Sequence, residues 1–220
     1  MSETPGSFGR VTLAGFSESL ASSDPVPGGG SASAVVGALA ASLVVMVVRL
    51  SQDRPRYEPF AATHERAIAT AEPSRVRLLE LAEEDAAAYA ALAAAYKLPK
   101  ETAQEQEARS ERVRAAARTA SEVPLRVVRE CHHLVREVET LAGRSNLNAA
   151  SDLEVAALLA QAAARGSAAN VLTNLPQVGD ERFAGMTTSE VGDHLHDIEA
   201  AVARVNQQIA GGGLRSPERE

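Results

Sequence analysis

The chain is poor in aromatic side chains and nearly without thiols: its 220 residues include four Phe, three Tyr, no Trp and one Cys. A single cysteine, Cys131, excludes an intrachain disulfide framework. Lysine is almost absent too, with only Lys97 and Lys100 beside a much larger set of Arg, and the formal charge is -7. No broad basic face is available for a phosphate backbone, so nucleic acid is not an expected partner. No basic segment followed by an apolar one opens the chain, and a cytoplasmic location is expected. What remains is 45% hydrophobic and 23% charged, a globular composition. A chain this long buries roughly 70% of its unfolded surface without needing a metal or a disulfide. With so few aromatics, the apolar content rests on 43 alanines. Alanine is the strongest helix former and a poor strand residue, so the expected class is all-α, a helical bundle.

The chain has one long uncharged run, the 21 residues from Gly28 to Val48. That length is enough to cross a bilayer. Three glycines, Ser31, Ser33, Gly37, Ser42 and several alanines dilute its drive to insert. The run is therefore read as the central helix of a soluble bundle, covered by neighbouring helices or a second subunit. A membrane partner is not expected.

The rest divides at recognisable punctuation into one helical domain over residues 1–210. A short helix near Thr12 to Ala21 leads into Asp24-Pro25-Val26-Pro27-Gly28-Gly29-Gly30-Ser31, where Ser31 is the expected cap of the apolar helix. Pro59, Pro73 and Pro124 suit first-turn positions of further helices. Ser/Thr-x-x-Glu signals at Thr102, Ser151 and Thr187 each mark a helix start. Val127, Cys131, Leu134, Val138 and Leu141 step by four and three along a seam that Gly143 ends. Residues 211–220 have no apolar periodicity and are expected to be a disordered tail.

Four places carry candidate chemistry. Gly28, Gly29 and Gly30 open the apolar helix, where unpaired amides and the helix dipole attract anions or polarised oxygens; a bare turn is the plainer reading. Asp85 falls on the same helical face as Ala82 and Tyr89. A carboxylate there is costly unless paired and has its pKa pushed up, which suits a general acid or base; otherwise it is a boundary residue reaching solvent or an Arg. Asn146, Asn148, Ser151 and Asp152 crowd two amides, a hydroxyl and a carboxylate into seven residues, a set that reads a heterocycle edge or simply starts a helix. Asn170 and Asn174 stand one turn apart on a small-residue face. For metals, Glu130-x-x-His133 has di-iron bundle spacing, but its second copy is only approximated by Asp193-x-x-His196, and no metal site is expected.

Taken in order, Pro25-x-Pro27-Gly28-Gly29-Gly30-Ser31, Glu84-Asp85-Ala86-x-x-Tyr89, Tyr96-Lys97-Leu98-Pro99-Lys100, Ala120-x-x-Val123-Pro124-Leu125, Asn146-x-Asn148-x-x-Ser151-Asp152 and Asn170-Val171-x-x-Asn174-Leu175 resemble the cyclodeaminase/cyclohydrolase family of one-carbon folate metabolism. The resemblance covers about Phe16 to Asn174. It departs from the family at Leu147, where Pro is usual, and at Tyr89, where Phe is common. It implies an all-helical homodimer acting on a folate that carries a formimino or methenyl carbon, as a stand-alone version of what is elsewhere a C-terminal domain. The implied activity is methenyltetrahydrofolate cyclohydrolase or formiminotetrahydrofolate cyclodeaminase, with no cofactor beyond the tetrahydrofolate substrate. Asp85 is the first candidate for proton transfer and Asp152 the second. Lys100 joins that catalytic set by orienting the pterin or its anionic tail, to which Arg49, Arg54, Arg56 and Lys97 add charge. Gly28, Gly29, Gly30, Ser31, Asn146, Asn148, Asn170 and Asn174 are the implied substrate-binding residues. The rival expectation is a non-catalytic helical protein of the same fold that binds folate or another partner.

Overall fold

A computed structural model describes residues 8–217. Its helices are α1 (Leu13–Leu20), α2 (Gly29–Arg49), α3 (Ala61–Tyr96), α4 (Ala103–Leu141), α5 (Ala150–Asn174) and α6 (Glu181–Gly211), joined by short 3₁₀ turns. No strand occurs among the described residues. The alanine-rich composition thus gives the all-α class expected from propensity.

The helix starts show which local signals are strong enough to end a helix. Thr102 forms a complete capping box with Glu105, each side chain meeting the other's backbone amide. Asp180 caps α6, accepting from the Phe183 amide at 2.9 Å. The other expected starts are corrected. Ser151 lies within the first turn of α5, and Thr187 inside α6. Pro73 and Pro124 sit inside α3 and α4, and Pro59 lies within the 3₁₀ turn Pro55–Phe60. Tertiary packing of these long helices overrides the loss of one backbone bond per proline. Ser31 is not a cap either; α2 begins at Gly29, with Gly28 in the capping position.

α2 lies against α3 on one side, α5 on the other and α4 behind. Gly37 makes the close approach possible, since a Cβ there would stand 3.2–3.3 Å from Leu78 and Cys131. Leu78, Leu81, Val44, Val47, Val48 and the whole expected seam from Val127 to Leu141 are buried. Truncating one such leucine to Ala costs about 2–5 kcal/mol. The central helix is not covered all round, however. Leu39 is 50% and Met46 36% exposed, and with Val36, Leu43 and Leu50 they form one apolar stripe along α2. On α5, Val155, Leu158 and Leu172 are exposed as well.

The C-terminal segment also departs from expectation. Helix α6 includes Gly211, and the irregular residues 213–217 dock onto the end of α4. The Arg215 amide donates to the Gly143 carbonyl at 2.8 Å, and Arg144 Nε donates to the Ser216 carbonyl at 2.9 Å. Gly143 is required there: its φ is +73°, and a Cβ would meet Gln208 and Arg215 within 2.9 Å. Residues 218–220 lie outside the described residues.

Candidate active site

Helices α3 and α4 run well past the start of α2, and the step they leave holds a cavity of about 220 Å³. Gly28, Gly29, Asp85, Tyr89, Asn170 and Asn174 are among its lining residues. Helix α5 runs antiparallel to α2, so its C-terminal asparagines return to the α2 mouth; a Cβ on Gly29 would lie 3.9 Å from Asn170 Nδ2.

Asp85 stands at the centre of this site. The buried stripe of α3 runs through Leu78, Leu81, Ala82, Ala88 and Leu92, with Asp85 between them, while Tyr89, expected on the same face, is exposed at the cavity edge. Its carboxylate accepts from Ser31 Oγ at 3.0 Å and also from the Ser31 backbone amide. One free amide at the α2 N-terminus is therefore met by a side chain from α3. Burial pushes the Asp85 pKa up, and the two Ser31 bonds pull it down; burial prevails and the net shift is upward. The neighbouring Glu84 turns away and pairs with Arg77 at 2.7 Å and Arg126 at 2.9 Å.

The glycines divide their work. A Cβ on Gly30 would stand 2.2–2.6 Å from the Asp85 carboxyl atoms, so Gly30 exists to admit that side chain rather than a ligand. Gly28 and Gly29 line the cavity together with Gly30. Ser31 is fully buried beneath Asp85 and does not reach a ligand directly.

One site feature was not read from the sequence. Pro124 has no amide hydrogen, so the Ala120 carbonyl four residues earlier loses its helical partner. Asn174 Nδ2 donates to that carbonyl at 2.8 Å. The four-residue spacing of Ala120 and Pro124 was the available signal: it creates the acceptor that fixes Asn174 at the cavity wall. Asn170 is oriented by donating from Nδ2 to the Gly166 carbonyl at 2.9 Å.

The remaining candidates lie elsewhere. Asn146 is 4% exposed at the opposite end of α2, about 30 Å away for a helix of this length. Its amide donates to Ser51 Oγ at 2.8 Å, its Nδ2 to the Leu50 carbonyl at 3.0 Å, and its Oδ1 accepts from the Asn148 amide at 3.1 Å. Asn146 thus ties the loop to α2. Leu147 donates its amide to the Tyr57 hydroxyl at 3.1 Å, a bond that a proline could not make. Asn148 is exposed and Asp152 half-buried at this same end. Beside them Ser51, Arg54, Tyr57 and His64 line a larger cavity of about 560 Å³. Lys97 and Lys100 are exposed at the α3–α4 tip, and Arg49 pairs with Glu72. None of the five expected cations lines the α2 mouth.

Glu130 accepts from Ser74 Oγ at 2.7 Å, and no group of three His, Cys, Asp or Glu among the described residues could hold a metal.

A half-buried carboxylate of raised pKa on an amide of a helix start, facing a cavity walled by two anchored asparagines, defines a helical protein equipped for acid-base chemistry. Residues 12–193 match the family model described as Formiminotransferase-cyclodeaminase, and the chain belongs to that family. It is 35% identical to the methenyltetrahydrofolate cyclohydrolase of Methylorubrum extorquens over 201 residues, covering 91% of this chain and 97% of the relative. It is 32% identical to the formimidoyltransferase-cyclodeaminase of Mus musculus over 89% of this chain, but spans only 36% of that longer protein. The crystal structure of formiminotetrahydrofolate cyclodeaminase from Thermotoga maritima superposes with a TM-score of 0.83 at 32% identity, over 92% of this chain and 98% of the other.

Proposed function

We propose that this protein is a one-carbon folate enzyme. It hydrolyses methenyltetrahydrofolate to formyltetrahydrofolate, or cyclises formiminotetrahydrofolate to the methenyl form with release of ammonia. The observation that carries this reading is Asp85, held at the cavity wall with a pKa raised by burial. In hydrolysis, water attacks the cationic methenyl carbon and Asp85 accepts its proton; Asp85 then returns that proton to N5 as the carbon–N5 bond breaks, and the adduct's hydroxyl loses its proton to solvent, leaving the formyl group on N10. In cyclisation, N10 attacks the carbon of the protonated formimino group, and Asp85 moves the N10 proton to the departing nitrogen, which leaves as ammonia as the methenyl cation forms. The anionic form also stabilises the cationic carbon. No cofactor beyond the folate is needed. The absorbance of methenyltetrahydrofolate tests the reading: purified protein is expected to accelerate its hydrolysis or its formation from the formimino compound. Failure of both overturns it.

The working unit in this reading is a cytoplasmic homodimer. Helix α2 is apolar and long enough to cross a membrane, yet only 56% of its apolar window is buried within the chain. A second copy laid on the α2/α5 stripe covers the rest. Packed antiparallel about a two-fold axis, that copy brings its Asn148 and Asp152 end toward the mouth of the first, which gives those residues a route to the same substrate. Sedimentation is expected to show a dimer in the soluble fraction. A monomer, or recovery only with membranes, overturns the arrangement.

A further inference from the structure

The Ser31 hydroxyl carries one hydrogen and has two acceptors at the same distance: Asp85 Oδ2 at 3.0 Å and the Ala82 carbonyl oxygen at 3.0 Å. We propose that Ser31 is the positioning residue of the Asp85 carboxyl group, its hydroxyl hydrogen turning between Asp85 Oδ2 and the Ala82 carbonyl as Asp85 gains and loses a proton.

The two acceptors are chemically unequal. The Ala82 carbonyl only accepts, whereas a carboxyl oxygen accepts when ionised and donates when protonated. With Asp85 ionised, the Ser31 hydroxyl donates to Oδ2. When Asp85 takes up a proton, the new O–H on Oδ2 donates to Ser31 Oγ, and the hydroxyl hydrogen swings to the Ala82 carbonyl. No bond to a heavy atom is made or broken, and no proton leaves Ser31. The carboxyl group keeps a partner in both forms without moving, so neither half of a proton-transfer cycle strands a buried polar group.

The surroundings make Ser31 the principal handle on this titration. Ser31 is completely buried, so water does not replace its hydroxyl. The loop, α2, α4 and α5 present Pro25, Gly28, Gly29, Ala120, Asn170 and Asn174 to the cavity, none of them titratable, and Tyr89 of α3 is its only other titratable lining residue among the described residues. Glu84 is held by Arg77 and Arg126, and α2 is uncharged from Gly29 to Val48.

This inference rests on the reading of Asp85 as the proton-transfer group, and the test separates the two. In S31A the ionised carboxylate loses a charge-assisted bond, so its titration is expected to move up by about one pH unit. The limb of the kcat profile that rises with deprotonation should move with it. The loss should be about tenfold below the limb, fade above it, and lie in kcat rather than KM. S31T, or S31C if threonine is too large to fold there, should return the limb toward the native position. Carbon NMR of the Asp85 carboxyl in labelled protein, assigned with D85N, follows the same titration without turnover. An unchanged Asp85 titration in folded S31A overturns the role of Ser31. If D85N keeps native turnover, the base assignment falls, and the NMR titration still decides the role of Ser31.

Discussion

The two ends of α2 carry similar polar residues and use them in opposite ways. At the C-terminal end, Ser51, Tyr57, Asn146 and the Leu147 amide are bonded to one another beside the larger cavity. At the N-terminal end the cavity is less than half that volume, yet a half-buried carboxylate lines it with its pKa raised. In the proposed function, size does not mark the reactive end. What marks it is a titratable group whose burial cost is not fully offset by its partners, whereas the other end closes its own hydrogen bonds and thereby stiffens the fold.

Breaking the contrast at the mouth should have the largest effect. Asp85→Asn keeps the shape and removes the base, so kcat in the methenyl-folate assay is expected to fall at least a hundredfold with KM little changed. Stability should move the other way. Because the folded pKa is raised, the native state binds the proton more tightly than the unfolded chain. Stability from this group therefore falls as pH rises from the ordinary value of 3.8 through the folded one. Asp85→Asn abolishes that decline, so at neutral pH its denaturant midpoint should equal or exceed that of the native protein.

Gly30→Ala comes next. Its new methyl overlaps the Asp85 carboxyl, and a loss of about tenfold in kcat is expected, while Gly29→Ala, with its nearest neighbour at 3.9 Å, should stay within about threefold. Equal losses at both glycines would mean that ligand approach, not room for Asp85, is what the glycines provide.

The far end should fail differently. Ser51→Ala removes the acceptor of the buried Asn146 amide and is expected to lower unfolding free energy by about 1–3 kcal/mol, measured by denaturant unfolding. A catalytic loss without a stability loss would erase the distinction between the two ends. The smallest effect belongs to Pro124→Ala, which restores an amide that competes with Asn174 for the Ala120 carbonyl. KM should rise about threefold and helix content should be preserved.

Much of this was legible in the sequence, for identifiable reasons. The Val127–Leu141 seam and the Thr102 capping box rest on local periodicity and local bonds, which survive any tertiary context. Asp85 was found because its helical phase placed charge among apolar neighbours. The internal prolines were misread because a proline's local cost is only part of a long packed helix's energy. The partnership of Ser31 with Asp85 spans 54 residues, and no local pattern reports it. Asn146 and Asp85 appear in one motif series, but their separation by the length of α2 depends on the direction in which α5 runs back.

Cys131, the sole thiol, lies completely buried where α4 meets Gly37 of α2 and Leu78 of α3, and burial drives its pKa far up. In the closed protein it is chemically silent. It therefore becomes a gauge of breathing: alkylation proceeds only as fast as the α2–α3–α4 junction opens, and where reclosing outruns labelling its rate measures the open population. Substrate that clamps the mouth of α2 should slow that labelling if the mouth and the junction at Gly37 open together, and leave it untouched if they open apart.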